Sequence, residues 1–474
     1  MYPLAVLNWS SVIRPAVLAL SFAALSVVAI APIGAQDTRH VTEPVIPAAC
    51  TVLKAKLHAE NNALREEDEQ KLDTERIQHA LDSCGSGKAV ALRADGAQNA
   101  FLSGPLELRE SVTLLVDKGV TLYGSRDPKL YDTKPGGCGT SGPESSPCRP
   151  LISVKDVKNA AIMGDGAIDG RGGSQLIGKS YSWWQQSRAA EPTNTKYSAP
   201  RLLIASHADG LILYRIRLHN SPNFHVAVSN TNGFTAWGVH LLTPTVRGTD
   251  ARNTDGIDPG SSENVTVTKS WIDNGDDNIA IKAGVRHMSV IDNHFYSGHG
   301  MSMGSEARDE SDILVDTLTL DHTTSGVRIK SNVQRGGIVR SVTYRNLCLR
   351  DVPVPISISP FYNGQTTDGI DDLGMKGPLT PDYKGIRIEN FISLTPGIVQ
   401  VAGLNAEHPT ELTLDGVEVR GIKPEQVRAR YSSITVGSKG ANFTFTGSGV
   451  TATTAAPKVK MDFSCDNKFV PYQD

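Results

Sequence analysis

The chain has no excess of charge of either sign. Its 47 Lys and Arg stand against 50 Asp and Glu, a net −3 over 474 residues. That excludes a broadly basic nucleic-acid surface and a long acidic tail, but not a local basic patch inside a cleft. Aromatic residues are scarce at 6%. With 44 Gly and 26 Pro, this scarcity fits many short strands joined by many turns. There are six cysteines, and no pair has the spacing of a zinc site. Sequence-local pairing is the expectation: Cys50 with Cys84, and Cys138 with Cys148 across a Gly/Ser/Pro-rich loop. Cys348 and Cys465 remain as a third pair or as free buried thiols.

Charge is also missing from the start of the chain. Arg14 is the only charged residue before Asp37. An apolar run from Ala16 to Ile33, broken only by Ser21, Ser26 and Pro32, ends in Ile33-Gly34-Ala35. Pro32 and the small residues read as a processing site, so 1–35 is expected to be a signal peptide and 36–474 a single domain. The other reading is a retained membrane anchor, since the run is about long enough to span a bilayer. The disulfide pattern favours export.

What is present is repetition. Residues 73–83 are the one strong helix candidate, with Asp73 placed to cap it and Leu72, Ile77, Ala80 and Leu81 on one face. From Lys88 onward strand signals dominate, interrupted by insertions at 132–150 and 171–200. Segments such as Asn264–Thr268, His287–Ile291 and Thr317–Leu320 each lead through a turn into a second strand. Those second strands are Ile279–Ile281, Met301–Met303, Val327–Ile329, Ile356–Ile358 and Ile398–Val401. Period-2 alternation turns Ile279, Met301, Val327 and Ile356 inward and Ala280, Ser302, Arg328, Lys282 and Lys330 outward. A β-sandwich also has many short strands, but it does not need one triplet recurring at one interval. The expected fold is all-β: a single-stranded right-handed parallel β-helix with a short N-terminal capping helix. The Thr/Ser/Gly-rich tail, about 440–474, is expected to cap the other end.

Four polar clusters ride on this repeat: Asn253-Thr254-Asp255, Gly275-Asp276-Asp277, Gly298-His299-Gly300 and Arg328-Ile329-Lys330. Asp255 to Asp277 is 22 residues, and Asp277 to His299 is 22 again. If the interval is one coil, these residues stack about 4.8 Å apart. Three crowded carboxylates should leave at least one with a raised pKa, the requirement for a general acid beside a general base. Arg328 and Lys330 beside the acids suit a sugar acid better than a neutral sugar. A calcium site would explain the aspartates but not the neighbouring cations and His299, so no metal and no cofactor are expected.

The four clusters, in this order, resemble the signature motifs of the pectin-degrading polygalacturonases of glycoside hydrolase family 28. Ser221-Pro222-Asn223-Phe224-His225 and Gly298–Ser305 agree, and Arg39 to Cys50 is similar to secreted bacterial endopolygalacturonases. The resemblance implies inverting hydrolysis of α-1,4 links in polygalacturonate by a secreted enzyme, and nothing in the sequence suggests an oligomer, so a monomer is expected. It makes Asp276 the general acid, has Asp255 and Asp277 hold and deprotonate water, and lets His299 tune or share the acid's proton. It assigns Asn253, Arg328, Lys330 and, more loosely, Tyr362 to substrate. Carboxylates about 5 Å apart would by themselves suggest retention; inversion comes from the resemblance. A departure is the segment Asn363–Tyr383, longer and more acidic than the pattern, with Asp368, Asp371, Asp372 and Asp382. It is expected to reshape one end of the cleft.

Overall fold

The computed structural model describes Met1 and residues 36–244, 251–364, 369–456 and 459–473. The chain divides into two compact units, Met1–Ile33 and Gly34–Asp474; apart from Met1, the first lies outside the described residues. No helix among the described residues is long and apolar enough to cross a membrane.

Residues from 49 onward wind as a right-handed parallel β-helix. Among the described residues, one side is a sheet of 11 strands, the rest of the wall is a sheet of 20, and Ala59–Glu60 with Ala63–Leu64 form a separate two-stranded pair. In the early coils the larger sheet has two short strands per turn. Later these fuse, so that Arg286–Ser297 pairs with both Glu263–Thr268 and Trp271–Asn274. The 11-stranded side carries the four clusters, and seven of its strands matter here. They are β1 (Leu203–Ser206), β2 (Val226–Ser229), β3 (Ile257–Gly260), β4 (Ile279–Ile281), β5 (Met301–Gly304), β6 (Ser325–Lys330) and β7 (Val354–Ser359).

Each strand is too short to bury an apolar face alone, so the coils stack to do it. Ile257 pairs with Ile279, Ile279 with Met301, Met301 with Val327 and Val327 with Ile356. All five side chains are fully buried, each adding roughly 1.5–3 kcal/mol of transfer free energy. The alternate file, Ala280–Ser302–Arg328–Ser357, faces out as expected but is also buried. It is the floor of a cleft rather than a solvent face.

Helix α1 spans Thr74–Ser83 and buries Ile77, Ala80 and Leu81, covering the open first coil. The edge strand Leu106–Glu107 ends the 11-stranded sheet. Gln78 of α1 satisfies it as a missing strand would: Nε2 donates to the Glu107 carbonyl (3.0 Å), and Oε1 accepts from its N–H (2.9 Å). Two details differ from expectation. Asp73 occupies the cap position but makes no side-chain cap bond; its carboxylate instead accepts from Arg76 and from Leu102 N–H. Leu72 is exposed, because it precedes the helix and points off its apolar face. The insertion 171–200 also contains a second helix, α2, Trp183–Ala190, started by a Ser182/Gln185 capping box.

All three disulfides form: Cys50–Cys84, Cys138–Cys148 and Cys348–Cys465. The tail does more than cap. Phe443 and Phe445, edge to face at 5.5 Å, close the last coil. The chain then runs back along the outside of the solenoid. Cys465 is bonded to Cys348, the Val470 carbonyl accepts from Tyr296 Oη (2.8 Å), and the Gln473 carbonyl lies 2.6 Å from His240 Nδ1. The N-terminal segment retraces coils in the same way. Asp37 N–H donates to Ser289 Oγ (3.0 Å), Thr38 to Asn264 (2.6 Å) and Arg39 to the Gly233 carbonyl (2.7 Å), while Glu43 accepts from Tyr214 (2.7 Å).

The Cys348–Cys465 bond spans 117 residues, for which the chain-entropy account gives about 5 kcal/mol. The Cys348→Ala/Cys465→Ala variant should show a lower Tm and faster proteolysis of the tail. An unchanged Tm would show that the noncovalent strap contacts suffice.

Candidate functional site

The column expected from the 22-residue intervals is present. Asp255, Asp277 and His299 each lie two residues ahead of Ile257, Ile279 and Met301, which are paired across β3, β4 and β5. The backbone ladder continues through them, with Gly256 N–H donating to the Asp277 carbonyl (2.9 Å) and Asn278 N–H to the Gly300 carbonyl (3.2 Å). Flanking glycines permit the close approach. A Cβ on Gly275 would sit 1.8 Å from the Ala251 carbonyl oxygen, and one on Gly300 (φ +80°) 2.0 Å from that of Ser325. Two buried asparagines pin the corner from inside. Asn274 Nδ2 donates to the Thr254 and Asp277 carbonyls, and Asn278 Oδ1 accepts from Gly300 N–H.

Asp276 projects beside this column. Its carboxylate accepts from Asp277 N–H (2.9 Å) and Asn253 N–H (3.1 Å) and faces His299 Nδ1 at 3.0 Å. Asn253 has φ +54°, a left-handed turn that asparagine tolerates. Asp277 is held from three sides: Lys330 Nζ at 2.7 Å, Ser302 Oγ at 2.7 Å and Arg328 Nη1 at 3.5 Å. Tyr362 stands over the cations, its ring centroid 6.0 Å from Arg328 Cζ and 5.5 Å from Lys330 Nζ. Its N–H donates to the Ser331 carbonyl (2.9 Å). All eight residues singled out from the sequence (Asn253, Asp255, Asp276, Asp277, His299, Arg328, Lys330 and Tyr362) line one cleft of about 500 Å³.

Charges are distributed unevenly within it. Burial opposes ionisation of Asp276, but the His299 imidazolium and Lys330 outweigh it and hold the carboxyl well below the usual range. Burial likewise opposes ionisation of Asp277, and Lys330 and Arg328 overcome it. Burial tends to lower His299, yet Asp276 carries it above its ordinary value. Asp255 goes the other way: burial, then Asp258 and Asp276, push its carboxyl well up. The crowded acids therefore do split, but the raised member is Asp255 rather than Asp276. Asp276, Asp277 and His299 offer ligand atoms within 4.8 Å of one another, compact enough for a cation. Lys330 and Arg328 already supply positive charge at Asp277, which disfavours a divalent ion there.

Some residues of the site were not visible in the sequence. Tyr197, from the insertion 171–200, donates to Asn253 Oδ1 (2.9 Å); no interval marks it, because insertions lie outside the repeat. Asp258, on the floor of the cleft, is buried with neither carboxylate oxygen hydrogen-bonded. Of the acidic segment Asn363–Tyr383, Asp368 lies outside the described residues, and Asp382 and Tyr383 belong to the strand Asp382–Ser393. Part of the remainder packs on the loop after β6, with Leu379 N–H to the Val333 carbonyl (2.9 Å) and Gln334 Nε2 to the Lys376 carbonyl (3.1 Å).

The chain is 39% identical over 399 residues to an endo-polygalacturonase of Pectobacterium carotovorum subsp. carotovorum, covering 83% of this chain and 92% of that protein. It is 34% identical to a polygalacturonase of Ralstonia solanacearum, covering 97% of this chain and 98% of the other. The solved polygalacturonase from Erwinia carotovora ssp. carotovora superposes with a TM-score of 0.72 at 37% identity, over 83% of this chain and all of that one. The sequence profile described as Glycosyl hydrolases family 28 matches residues 84–436, and the chain belongs to that family of glycoside hydrolases.

Proposed function

We propose that this enzyme is an exported endo-polygalacturonase that hydrolyses internal α-1,4 links of polygalacturonate with inversion, after removal of residues 1–35. The observation that carries the reading is the pairing of a stacked Asp/Asp/His column with two buried cations, Arg328 and Lys330. Buried cations need anionic partners. Asp277 lies against both, and both line the cleft, where they also suit the carboxylate of a galacturonate unit. The endo mode follows the relatives in Pectobacterium, which are endo-polygalacturonases.

In this scheme Asp276 protonates the departing glycosidic oxygen. The free site keeps that proton on His299, whose Nδ1 faces Asp276 Oδ1 at 3.0 Å. A substrate carboxylate docking on Arg328 and Lys330 cancels charge that holds Asp276 ionised, so the proton passes from imidazolium to carboxyl. Asp277, kept anionic by Lys330, and Asp255 take the attacking water between them. Asp255 Oδ1 is buried without a protein hydrogen-bond partner, so it can accept from that water. The water's proton leaves to this pair as its oxygen bonds to the anomeric carbon.

A second assignment is favoured by the raised carboxyl of Asp255, which would make Asp255 the acid. Asp276→Asn should lower kcat on polygalacturonate by about 10²–10⁴-fold. It should lower hydrolysis of an oligogalacturonide bearing an acidic phenol leaving group far less, because a good leaving group needs no acid. If Asp255→Asn shows that rescue and Asp276→Asn does not, the roles are exchanged.

The sign of the pH dependence follows from the shared proton. The pair holds it until pH rises through the elevated pKa of His299, so activity falls on the alkaline side. In His299→Gln only the carboxyl remains to hold the proton, and the alkaline limb should move to lower pH. A limb that stays in place removes His299 from the proton path.

Early product sizing decides the mode of attack. An endo enzyme yields a spread of oligomers and a rapid viscosity loss that persists in a chelator. Mono- or digalacturonate from the first minutes would mark an exo enzyme. Products absorbing in the ultraviolet would mark a lyase.

A further inference from the structure

The acid column does not stop at Asp255. Phe224 lies two residues ahead of Val226, which pairs with Ile257, so Phe224 occupies on the preceding coil the place of Asp255. Arg201 lies two residues ahead of Leu203, which pairs with Val226, one coil further. The column therefore reads Arg201, Phe224, Asp255, Asp277, His299. The Arg201 guanidinium is 4.5 Å from the Phe224 ring centroid, and Lys282 Nζ is 5.9 Å from the same ring. This repeats the arrangement beyond His299, where Arg328 and Lys330 flank the ring of Tyr362. Each side of the acids thus carries one aromatic ring with two cations.

Lys282 and Lys330 also share a file. Ile281 pairs with Met303 and Gly304 with Lys330, so Lys282, Gly304 and Lys330 follow one another on successive coils. The two lysine backbones are about 10 Å apart, and Gly304 lets Lys330 pack close against it, since a Cβ there would fall 1.9 Å from the Lys330 carbonyl oxygen. Lys282 lines the same cleft as the acids. Its ammonium donates to the Gly304 carbonyl (3.0 Å) and lies 3.5 Å from Asp258 Oδ2. With three donors on a lysine and one hydrogen bond made, to the Gly304 carbonyl, Lys282 has donor capacity for a ligand. Burial pushes the Asp258 carboxyl up to about 7, so in mildly acidic solution it neutralises Lys282 only in part.

We propose that Arg201, Phe224 and Lys282 form a second carboxylate-recognising subsite, which holds a galacturonate unit across the scissile bond from Arg328, Lys330 and Tyr362. The assignment of the polymer rests on the function proposed above. The ring carries the apolar face of the sugar. The guanidinium over it suits bidentate contact with the carboxylate, and Lys282 adds a point charge. A polyanion lying along the solenoid axis then meets cations before and after the acids, which fixes its register over them.

Equilibrium binding of a reducing-end-labelled hexagalacturonate to the Asp276→Asn enzyme provides the test, with Arg201→Gln and Lys282→Met added singly. Each addition should weaken binding about tenfold or more, as loss of a charge-assisted hydrogen bond does. Lys155→Gln, which removes an exposed charge, should leave binding unchanged. In the background with Asp276 intact, Arg201→Gln should raise KM more than it lowers kcat and shift the preferred bond within the labelled hexamer. Binding and cleavage position unchanged in Arg201→Gln and Lys282→Met would overturn the subsite. If the parent binds the hexamer and Arg201→Gln weakens it, yet no polygalacturonate is cleaved, the subsite stands and the hydrolase reading falls. Circular dichroism of Lys282→Met separates misfolding from lost binding, and Arg201→Gln keeps the test decisive if that variant fails to fold.

Discussion

Parallel coils in register sit about 4.8 Å apart, and that spacing governs the rest of this molecule. A side chain meets whatever occupies the same place on the coils before and after it, however distant in sequence. The rule applies on both faces of the wall. Inside, Ile257, Ile279, Met301, Val327 and Ile356 form one continuous apolar file. Outside, the same stacking forces Asp255, Asp277 and His299 together, against the repulsion of the two carboxylates. Placing charge this close in a buried setting costs free energy, which the hydrophobic file offsets.

The repulsion is answered locally. Lys330 and Ser302 contact Asp277 directly, His299 faces Asp276, and Lys282 lies near Asp258. Among the described residues Asp255 has no cation at comparable contact, and its carboxyl, like that of Asp258, is driven upward by burial. Ionisation in the cleft is thus set by burial together with the cation each coil brings, and at Asp258 burial prevails even with Lys282 nearby. Asp276 and Asp255 both resist ionisation through burial, and they move in opposite directions.

The fold was legible because the interval between motifs equals one coil wherever no loop intervenes. Asp255, Asp277 and His299 have uninterrupted coils between them, so arithmetic on the sequence found their column. Phe224 precedes Asp255 by 31 residues, and the lengthened turn concealed that it stands in the same column. Tyr197 and α2 were hidden for a related reason, since an insertion owes nothing to the repeat. The tail was legible as an end but not as a strap, because its course depends on surfaces made by coils far upstream. The split among the carboxyls was foreseen in kind, while its placement on Asp255 depended on neighbours that only the folded chain assembles.

The straps bear on the order in which the chain becomes native. Coils can form one after another as the polypeptide emerges, each laid on the last. The segment around Asp37 is an exception. Its anchor on Ser289 lies 252 residues later, so the first part of the body to appear docks there only after more than half of the chain has been made. At the other end, Cys465 returns to Cys348 only after the final coils are built. A chain that grows in one direction is therefore closed at both ends near its middle, and the coils carrying the acids become fully clasped only when synthesis is nearly over. Nascent chains would spend most of their elongation with a growing solenoid and a loose leading end, which sets the interval over which premature pairing of Cys50 or Cys138 with a wrong partner has to be avoided.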